Sequence, residues 1–196
     1  EVATLPFQPV FCDILVGEDP VSRQYVDMKA KYATSVGMRF HNAFFPSGIS
    51  TEELIQEIQK LNKVENMCGI IVQLPLPASI DQRAILDAIE PRLDVDFLGS
   101  VTGDEFYKGQ SQRGFPTALA CMHILDTLNL DLKNKKIAVL GQGELVGKPV
   151  AALLRFRGLE PSTITSKTEN KESAIREADI IISGVGKCKF ITGGMI

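Results

Sequence analysis

Short apolar runs alternate with helix-like segments along most of the chain. In the first half, the pattern predicts strands over residues 9–17, 39–45 and 68–74 and helices over residues 19–36, 47–61 and about 80–89. The third run, CGIIVQL, is almost continuously apolar, which is typical of a strand covered on both faces. Ser50, followed by Glu53 three residues later, has the spacing of a capping box at the start of the second helix. This alternation predicts βαβ units and a parallel sheet.

The periodicity disappears between residues 90 and 116, where Gly, Asp and Pro are frequent. A loop of this length is usually functional or connects two domains. Beyond it, the pattern predicts helices over residues 117–130, 144–158 and 171–178 and strands over residues 136–141, 162–166 and 179–186. We therefore predict two α/β domains that meet near residues 112–116. We expect residues 1–115 to form the first domain and residues 116–196 to form the second.

The composition excludes several functional classes. Of the 196 residues, 44% are apolar and 23% are charged, and the net charge of −3 gives no indication of a nucleic-acid partner. No apolar run reaches the length of a membrane span. The four cysteines are scattered and the two histidines are isolated, which predicts buried thiols rather than disulfides or a metal site. Since the N-terminus also lacks a secretion signal, the sequence predicts a cytoplasmic protein.

A glycine-rich segment, GQGELVG, follows the predicted strand KIAVL and opens a helix. Its spacing is a variant of the dinucleotide-binding fingerprint. In that pattern Gly141 permits a tight turn, Gly143 lets backbone N–H groups approach a pyrophosphate, and Gly147 allows the helix to pack close to the strand. The start of the helix adds a partial positive charge beside the same anion. The segment therefore predicts a nucleotide site.

The end of the next strand predicts which nucleotide binds. An NAD site usually has an acidic residue here, but this chain has Thr165, Ser166, Lys167 and Thr168. A hydroxyl next to an amine suits a 2′-phosphate, which favours NADP, although Glu169 follows directly and keeps NAD open as the alternative. The predicted cofactor-binding residues are Gly141, Gln142, Gly143, Val146, Gly147, Ser166 and Lys167.

Four motifs in order identify a family. YVDMK places Tyr25 and Lys29 on one face of the first predicted helix. It is followed by VQLPLP at residues 72–77, DVD at residues 94–96 and VLGQGELVGKP at residues 139–149. With these motifs the chain resembles the bifunctional methylenetetrahydrofolate dehydrogenase/methenyltetrahydrofolate cyclohydrolase family of one-carbon metabolism. The resemblance covers essentially the whole chain, and it implies that residues 1–115 form a catalytic, folate-binding α/β domain and that residues 116–196 form a Rossmann-like dinucleotide-binding domain.

The resemblance implies roles for four residues. Lys29 corresponds to the family's catalytic lysine, and Tyr25 corresponds to the tyrosine that flanks the folate ring system. Gln73 corresponds to the glutamine that hydrogen-bonds the lysine, and Asp96 corresponds to the aspartate that holds the pterin. The implied activity is NADP-dependent oxidation of 5,10-methylenetetrahydrofolate to the methenyl compound, followed by hydrolysis to 10-formyltetrahydrofolate.

The residue types are consistent with that chemistry. A partly buried lysine amine can take and return protons during hydrolysis. Gln73 is a neutral partner that does not hold Lys29 in its charged form, whereas an acid in its place would. The carboxylate of Asp96 suits the amino and ring N–H groups of a pterin.

The chain also departs from the family pattern. Gln142 and Gly143 stand where members commonly have Arg-Ser, which weakens the predicted preference for NADP. DVDF replaces the usual DVDG, so Phe97 occupies the glycine position, and Pro116 is what is left of a Pro-Cys-Thr-Pro segment. The usual segments before the first strand and after residue 196 are not in this sequence. We therefore expect either a fragment or a shortened relative.

The sequence leaves three functions open. The first is the enzyme with both activities, and the second is a cyclohydrolase alone, because the four folate-site residues are present while the cofactor loop is altered. The third is a non-catalytic module that binds nucleotides or forms dimers. The fold alone also fits other Rossmann dehydrogenases, although YVDMK and VQLPLP argue against them. The predicted partners are tetrahydrofolate derivatives and a second copy of the chain, since the resemblance implies a homodimer through the cofactor domains.

Overall fold

A computed structural model describes residues 2–196 of the chain. The chain divides into two compact units, one ending at Asp104 and the other covering Glu105–Ile196. Each unit contains its own parallel sheet with helices, as the alternating pattern predicts. The functional division at residue 115 stays a prediction. Among the described residues, no helix has the length and apolar character to cross a membrane.

The first unit contains a three-stranded parallel sheet in the order β2-β1-β3. Its strands are β1 (Val10–Val16), β2 (Arg39–Phe45) and β3 (Met67–Val72), and its first three helices are α1 (Pro20–Ser35), α2 (Thr51–Leu61) and α3 (Gln82–Asp87). Strand β1 lies in the middle and is almost completely buried, so side chains on both of its faces are removed from water. The core of this unit includes Ile14, Val26, Leu54, Ile58, Ile70 and Ile85.

Local capping explains where the first two helices begin. The Asp19 side chain accepts a hydrogen bond from the backbone N–H of Ser22, and Pro20 follows it at the first helical position. Ser50 and Glu53 form the predicted capping box, with each side chain bonded to the backbone N–H of the other. Each such cap contributes about 1 kcal/mol to helix stability. The cap on α1 holds the helix that carries Lys29.

The composition of the segment between residues 90 and 116 predicted a loop, but the segment is not entirely a loop. It contains helix α4 (Ser100–Tyr107). Gly103 lies within this helix and lowers its intrinsic propensity, which hides it from a periodicity argument. Buried Asp94 compensates, because its carboxylate accepts hydrogen bonds from the backbone N–H groups of Leu98 and Gly99 and from the hydroxyl of Thr102. Tertiary contacts thus form a helix that the local sequence does not predict.

The second unit contains a three-stranded parallel sheet in the order β5-β4-β6. Its strands are β4 (Ile137–Leu140), β5 (Ser162–Ile164) and β6 (Ile180–Ser183), and its helices are α5 (Pro116–Thr127), α6 (Gly147–Phe156) and α7 (Lys171–Arg176). Helix α6 begins three residues later than predicted, because residues 144–146 belong to the turn that joins it to β4. This turn contains the glycine-rich segment.

The cysteines are free, but their burial differs from the prediction. Cys12 on β1 is buried and Cys121 is partly buried, whereas Cys68 and Cys188 are exposed. The prediction of buried thiols is therefore wrong for the last two. Burial, together with the adjacent Asp13 carboxylate, raises the pKa of the Cys12 thiol to about 12. This thiol stays protonated at neutral pH and behaves as a small apolar side chain.

Candidate functional site

Two of the predicted catalytic residues meet in the first unit. Lys29 projects from α1, and Gln73 follows the last residue of β3, where its backbone N–H donates to the carbonyl of Ile14 at 2.8 Å. The Lys29 ammonium donates a hydrogen bond to Gln73 Oε1 at 2.7 Å. This contact joins the motifs YVDMK and VQLPLP, although Lys29 and Gln73 are 44 residues apart in the sequence. The roles of both residues stay predictions.

An acid that the sequence analysis did not single out lies at the same lysine. Asp13 Oδ2 is 2.7 Å from Lys29 Nζ, and the Asp13 side chain is completely buried whereas that of Lys29 is 29% exposed. Lys29 therefore has an acidic partner in addition to the neutral Gln73. One signal was visible in the sequence, since Asp13 is the single charged residue in the apolar run VFCDILV. An acid in a buried strand is rare unless it has a partner.

The third predicted residue, Asp96, belongs to the same electrostatic environment. Burial raises the pKa of Asp96 to about 6, the charge of Lys29 opposes this rise, and the charges of Asp94 and Asp13 add to it. Asp94 itself is used to cap the start of α4. The first acid of DVD therefore shapes the turn, and the second acid is left available for a ligand.

Phe97 occupies the position of the glycine in the usual DVDG motif. Its backbone has a φ of +61°, a left-handed conformation that a glycine adopts easily and a bulky residue rarely adopts. The residue is nevertheless buried, with an exposure of 3%. Burying a phenylalanine contributes about 1.5–3 kcal/mol, which exceeds the roughly 1–2 kcal/mol cost of this conformation. The buried ring thus stabilises a turn after Asp96 whose backbone conformation suits glycine.

Tyr25 is the least constrained of the four predicted residues. It lies on α1 one turn before Lys29, and its side chain is about half exposed. Helical spacing puts the two side chains on one face. The structure therefore leaves the Tyr25 ring accessible to a ligand, and its role stays a prediction.

In the second unit, the glycine-rich segment forms a tight turn between β4 and α6. Gly141 has a φ of +82°, and its N–H donates to the carbonyl of Ile164 at 2.8 Å. A Cβ atom added at Gly147 would lie 1.9 Å from the carbonyl oxygen of Gly141, so only glycine fits there. A Cβ atom at Gly143 would meet nothing within 4 Å. The turn is therefore closed at Gly147 and open at Gly143, which leaves room for a phosphate near the start of α6.

Two further predicted cofactor residues belong to this turn. Val146 is the N-cap of α6, and its side chain accepts no hydrogen bond from the first backbone N–H groups of the helix. The side chain of Gln142 folds back, and its Nε2 donates to the carbonyl of Gly141 at 2.8 Å. The residue that replaces the family's usual arginine thus stabilises the turn itself.

The residues that follow β5 form a small turn. The backbone N–H of Thr165 donates to the hydroxyl of Thr168 at 2.9 Å, and the N–H of Lys167 donates to the Thr165 hydroxyl at 3.2 Å. Ser166 and Lys167 are exposed at the tip of this turn. Glu169 instead lines a cleft with Lys136 and Ile137, at the start of β4 rather than at its end. This placement argues against a ribose-binding role for Glu169.

Comparisons with known proteins agree with these observations. Residues 2–96 match the model of the tetrahydrofolate dehydrogenase/cyclohydrolase catalytic domain. Residues 116–196 match the model of the tetrahydrofolate dehydrogenase/cyclohydrolase NAD(P)-binding domain. A curated relative, the bifunctional protein FolD of Cellvibrio japonicus, is 37% identical over 183 residues, which cover 93% of this chain and 65% of the relative.

Two solved structures are also similar. The FolD methylenetetrahydrofolate dehydrogenase/cyclohydrolase of Campylobacter jejuni aligns with a TM-score of 0.90 and 31% identity, over 96% of this chain and 67% of that one. The methylenetetrahydrofolate dehydrogenase-cyclohydrolase of Trypanosoma brucei, solved with NADP and an inhibitor, aligns with a TM-score of 0.86 and 32% identity, over 91% of this chain and 62% of that one. The chain spans about two thirds of the length of these proteins.

Proposed function

The chain belongs to the tetrahydrofolate dehydrogenase/cyclohydrolase family, and we propose that it carries out both reactions of that name. It oxidises 5,10-methylenetetrahydrofolate with NADP and hydrolyses the methenyl product to 10-formyltetrahydrofolate. The observation that carries this proposal is the hydrogen bond from Lys29 to Gln73, because it joins two distant motifs at a proton-transferring amine. The glycine turn of the second unit supports the cofactor half.

The hydrolysis depends on Lys29. Water adds to the cationic methenyl carbon while a base takes one proton from it, and an acid then protonates the ring nitrogen whose bond to that carbon breaks. The remaining hydroxyl proton is released to solvent as the formyl carbonyl forms. The Lys29 side chain is accessible enough to reach a substrate and is fixed at 2.7 Å by Gln73. One side chain can therefore carry out both proton transfers in succession.

The oxidation depends mainly on orientation. Removing a hydride from the methylene carbon needs no proton acceptor, so the residues of the site contribute by fixing the folate. Asp96 accepts hydrogen bonds from the pterin, and Tyr25 lies against the ring system. NADP, when bound, accepts the hydride. The turn at Gly141, Gly143 and Gly147 fits its pyrophosphate, and Ser166 and Lys167 would hold the 2′-phosphate.

Asp96→Ala is expected to weaken folate binding by about 1–3 kcal/mol, because buried pterin donors lose their acceptor. In the wild type, folate affinity should also fall as the pH drops through about 6, since protonated Asp96 accepts hydrogen bonds poorly. Fluorescence titration of a folate analogue on both sides of this pH measures both effects. Asp96→Asn is the matched control, which keeps the side-chain volume and should lose the pH dependence. Unchanged affinity in Asp96→Ala would remove the residue from the binding site.

Gln142→Arg is expected to raise NADP affinity about tenfold or more and to leave NAD affinity unchanged. The reason is that a charge-assisted hydrogen bond to a 2′-phosphate contributes roughly 1.5–3 kcal/mol. Calorimetric titration of both cofactors into the wild type and the variant measures this. Gln142→Met, similar in length but uncharged, is the control. A wild-type preference for NAD would contradict the proposed role of Ser166 and Lys167.

A cyclohydrolase without dehydrogenase activity is the second candidate. It is favoured by the side chain of Gln142, which bonds within its own turn and presents no positive charge. Supplying methenyltetrahydrofolate directly, and separately methylenetetrahydrofolate with each nicotinamide cofactor, distinguishes the two. Hydrolysis without any formation of reduced nicotinamide would leave the cyclohydrolase alone, and no reaction in either assay would refute both functions.

The homodimer and the cytoplasmic location are further parts of this proposal. The dimer rests on the family resemblance, and the location rests on four free cysteines without a disulfide among the described residues. Light scattering coupled to size-exclusion chromatography tests the dimer, because a mass close to that of one chain would refute it.

A further inference from the structure

Asp13 occupies a position where a charge is costly. It lies in the middle of β1, the central strand, opposite Asn42 of β2 and Ile71 of β3 in the parallel register. Its side chain has an exposure of 0%. Removing an unpaired carboxylate from water costs several kcal/mol, so such a residue normally carries a specific partner.

The only cation placed against Asp13 within residues 2–196 is Lys29, at 2.7 Å. Neither carboxylate oxygen of Asp13 has a hydrogen-bond partner of good geometry within those residues, so the contact is an ion pair. Burial raises the pKa of Asp13, and the Lys29 ammonium opposes this rise. The stability of a charged Asp13 therefore depends on the charge of Lys29.

The other groups around the pair do not replace either partner. Gln73, Asn42 and Ile71 carry no charge. Cys12 is a protonated thiol, and its interaction with Asp13 is repulsive when it ionises. Among the described residues, Asp96 carries a charge that interacts with both Lys29 and Asp13, and the helix-capping Asp94 interacts in turn with Asp96. Both are acidic, so they favour a positive charge on the lysine.

We propose that Asp13 is a positioning residue which holds Lys29 in its ammonium form and thereby sets the pH dependence of the cyclohydrolase step. The inference rests on the proposed function for its catalytic consequence only. An ionised acid beside an amine favours the protonated amine. Lys29 becomes a proton acceptor only after it loses this proton to solvent, so Asp13 delays hydrolysis until higher pH. Oxidation of the methylene compound needs no proton acceptor and is less affected.

The charge state of Lys29 is measured without any activity. Acetic anhydride reacts with neutral amines and not with ammonium groups, so the labelling rate of each lysine at neutral pH reports its neutral fraction. In Asp13→Asn, the labelling of Lys29 relative to the wild type should rise about tenfold, which corresponds to a shift of one pH unit. Lys60, paired with exposed Glu57 at 2.6 Å, is the internal control and should not change. An unchanged rate at Lys29 in a folded variant would overturn the inference.

The catalytic consequence is measured as the pH profile of methenyltetrahydrofolate hydrolysis, after subtraction of the uncatalysed rate. The midpoint of the rise in rate should move to lower pH by about one unit or more in Asp13→Asn. Asp13→Leu introduces an apolar side chain suited to a buried strand and should show the same shift. It provides the test if Asp13→Asn does not fold. The surface variant Asp81→Asn should keep the wild-type profile. If the wild type hydrolyses the substrate and the midpoint is unchanged in both Asp13 variants, the role of Asp13 is refuted. If the wild type does not hydrolyse the substrate, the proposed function is refuted, and the labelling rate of Lys29 decides whether Asp13 controls its charge.

Discussion

Lys29→Met is expected to lower the rate of methenyltetrahydrofolate hydrolysis by about 100-fold or more while folate still binds. Methionine keeps much of the side-chain volume but cannot transfer protons. Within the described residues of the first unit, no other side chain combines a titratable amine with contact to both Gln73 and Asp13. Loss of methenyl absorbance measures the rate, and binding of a folate analogue measures occupancy. A variant that retains more than about a tenth of the wild-type rate would refute the assignment of Lys29.

This substitution needs a control for stability. It leaves the buried carboxylate of Asp13 without its cation, which can cost about 3–5 kcal/mol in the free energy of unfolding. The double variant Asp13→Asn/Lys29→Met removes both charges and should recover most of the lost thermal stability. It should remain unable to hydrolyse the methenyl substrate. Recovery of hydrolysis in the double variant would mean that the single variant failed through misfolding.

Gly147→Ala is expected to weaken NADP binding by about 5- to 150-fold, and to slow the oxidation reaction at limiting NADP accordingly, while hydrolysis of supplied methenyltetrahydrofolate continues. The new Cβ atom would lie 1.9 Å from the carbonyl oxygen of Gly141, a contact that only a backbone shift can relieve. Overpacking of this kind costs about 1–3 kcal/mol, and here the cost falls on the turn that fits the pyrophosphate. Titration with NADP, together with the two activity assays, measures the separation.

The matched control is Gly48→Ala. Gly48 lies in the first unit, and an added Cβ atom there meets nothing within 4 Å. Both activities and NADP affinity should equal those of the wild type. Wild-type NADP affinity in Gly147→Ala would show that the turn between β4 and α6 does not hold the cofactor.

The fold was predictable where local signals and periodicity agree. The capping box at Ser50 and Glu53 starts α2 where predicted, and strand β2 covers the predicted residues 39–45. Helix α4 was not predicted, because its formation depends on Asp94, a buried acid outside the helix that bonds to Gly99 and Thr102. A short stretch of sequence indicates the weak helix propensity of such a segment, but it does not indicate the tertiary contact that overrides this propensity.

The contact between Lys29 and Gln73 was predictable for a related reason. Short motifs identify Lys29 and Gln73, and the order of the elements then brings them together at one end of the sheet. Asp13 was missed because it interrupts an apolar run by one residue only, and the run as a whole still predicts a buried strand. The apolar run predicts only a buried strand, and the identity of the partner of Asp13 depends on how α1 crosses β1. That packing angle is set by many side chains together.

The central claim, that one chain oxidises methylenetetrahydrofolate and then hydrolyses the product, is tested most directly by a single progress curve. The wild-type protein is supplied with methylenetetrahydrofolate and NADP, and the absorbances of reduced nicotinamide and of the methenyl compound are followed together. We expect reduced nicotinamide to accumulate while the methenyl signal stays below it, because hydrolysis removes the intermediate. A methenyl signal that rises one for one with reduced nicotinamide, or the absence of both signals, would contradict this account.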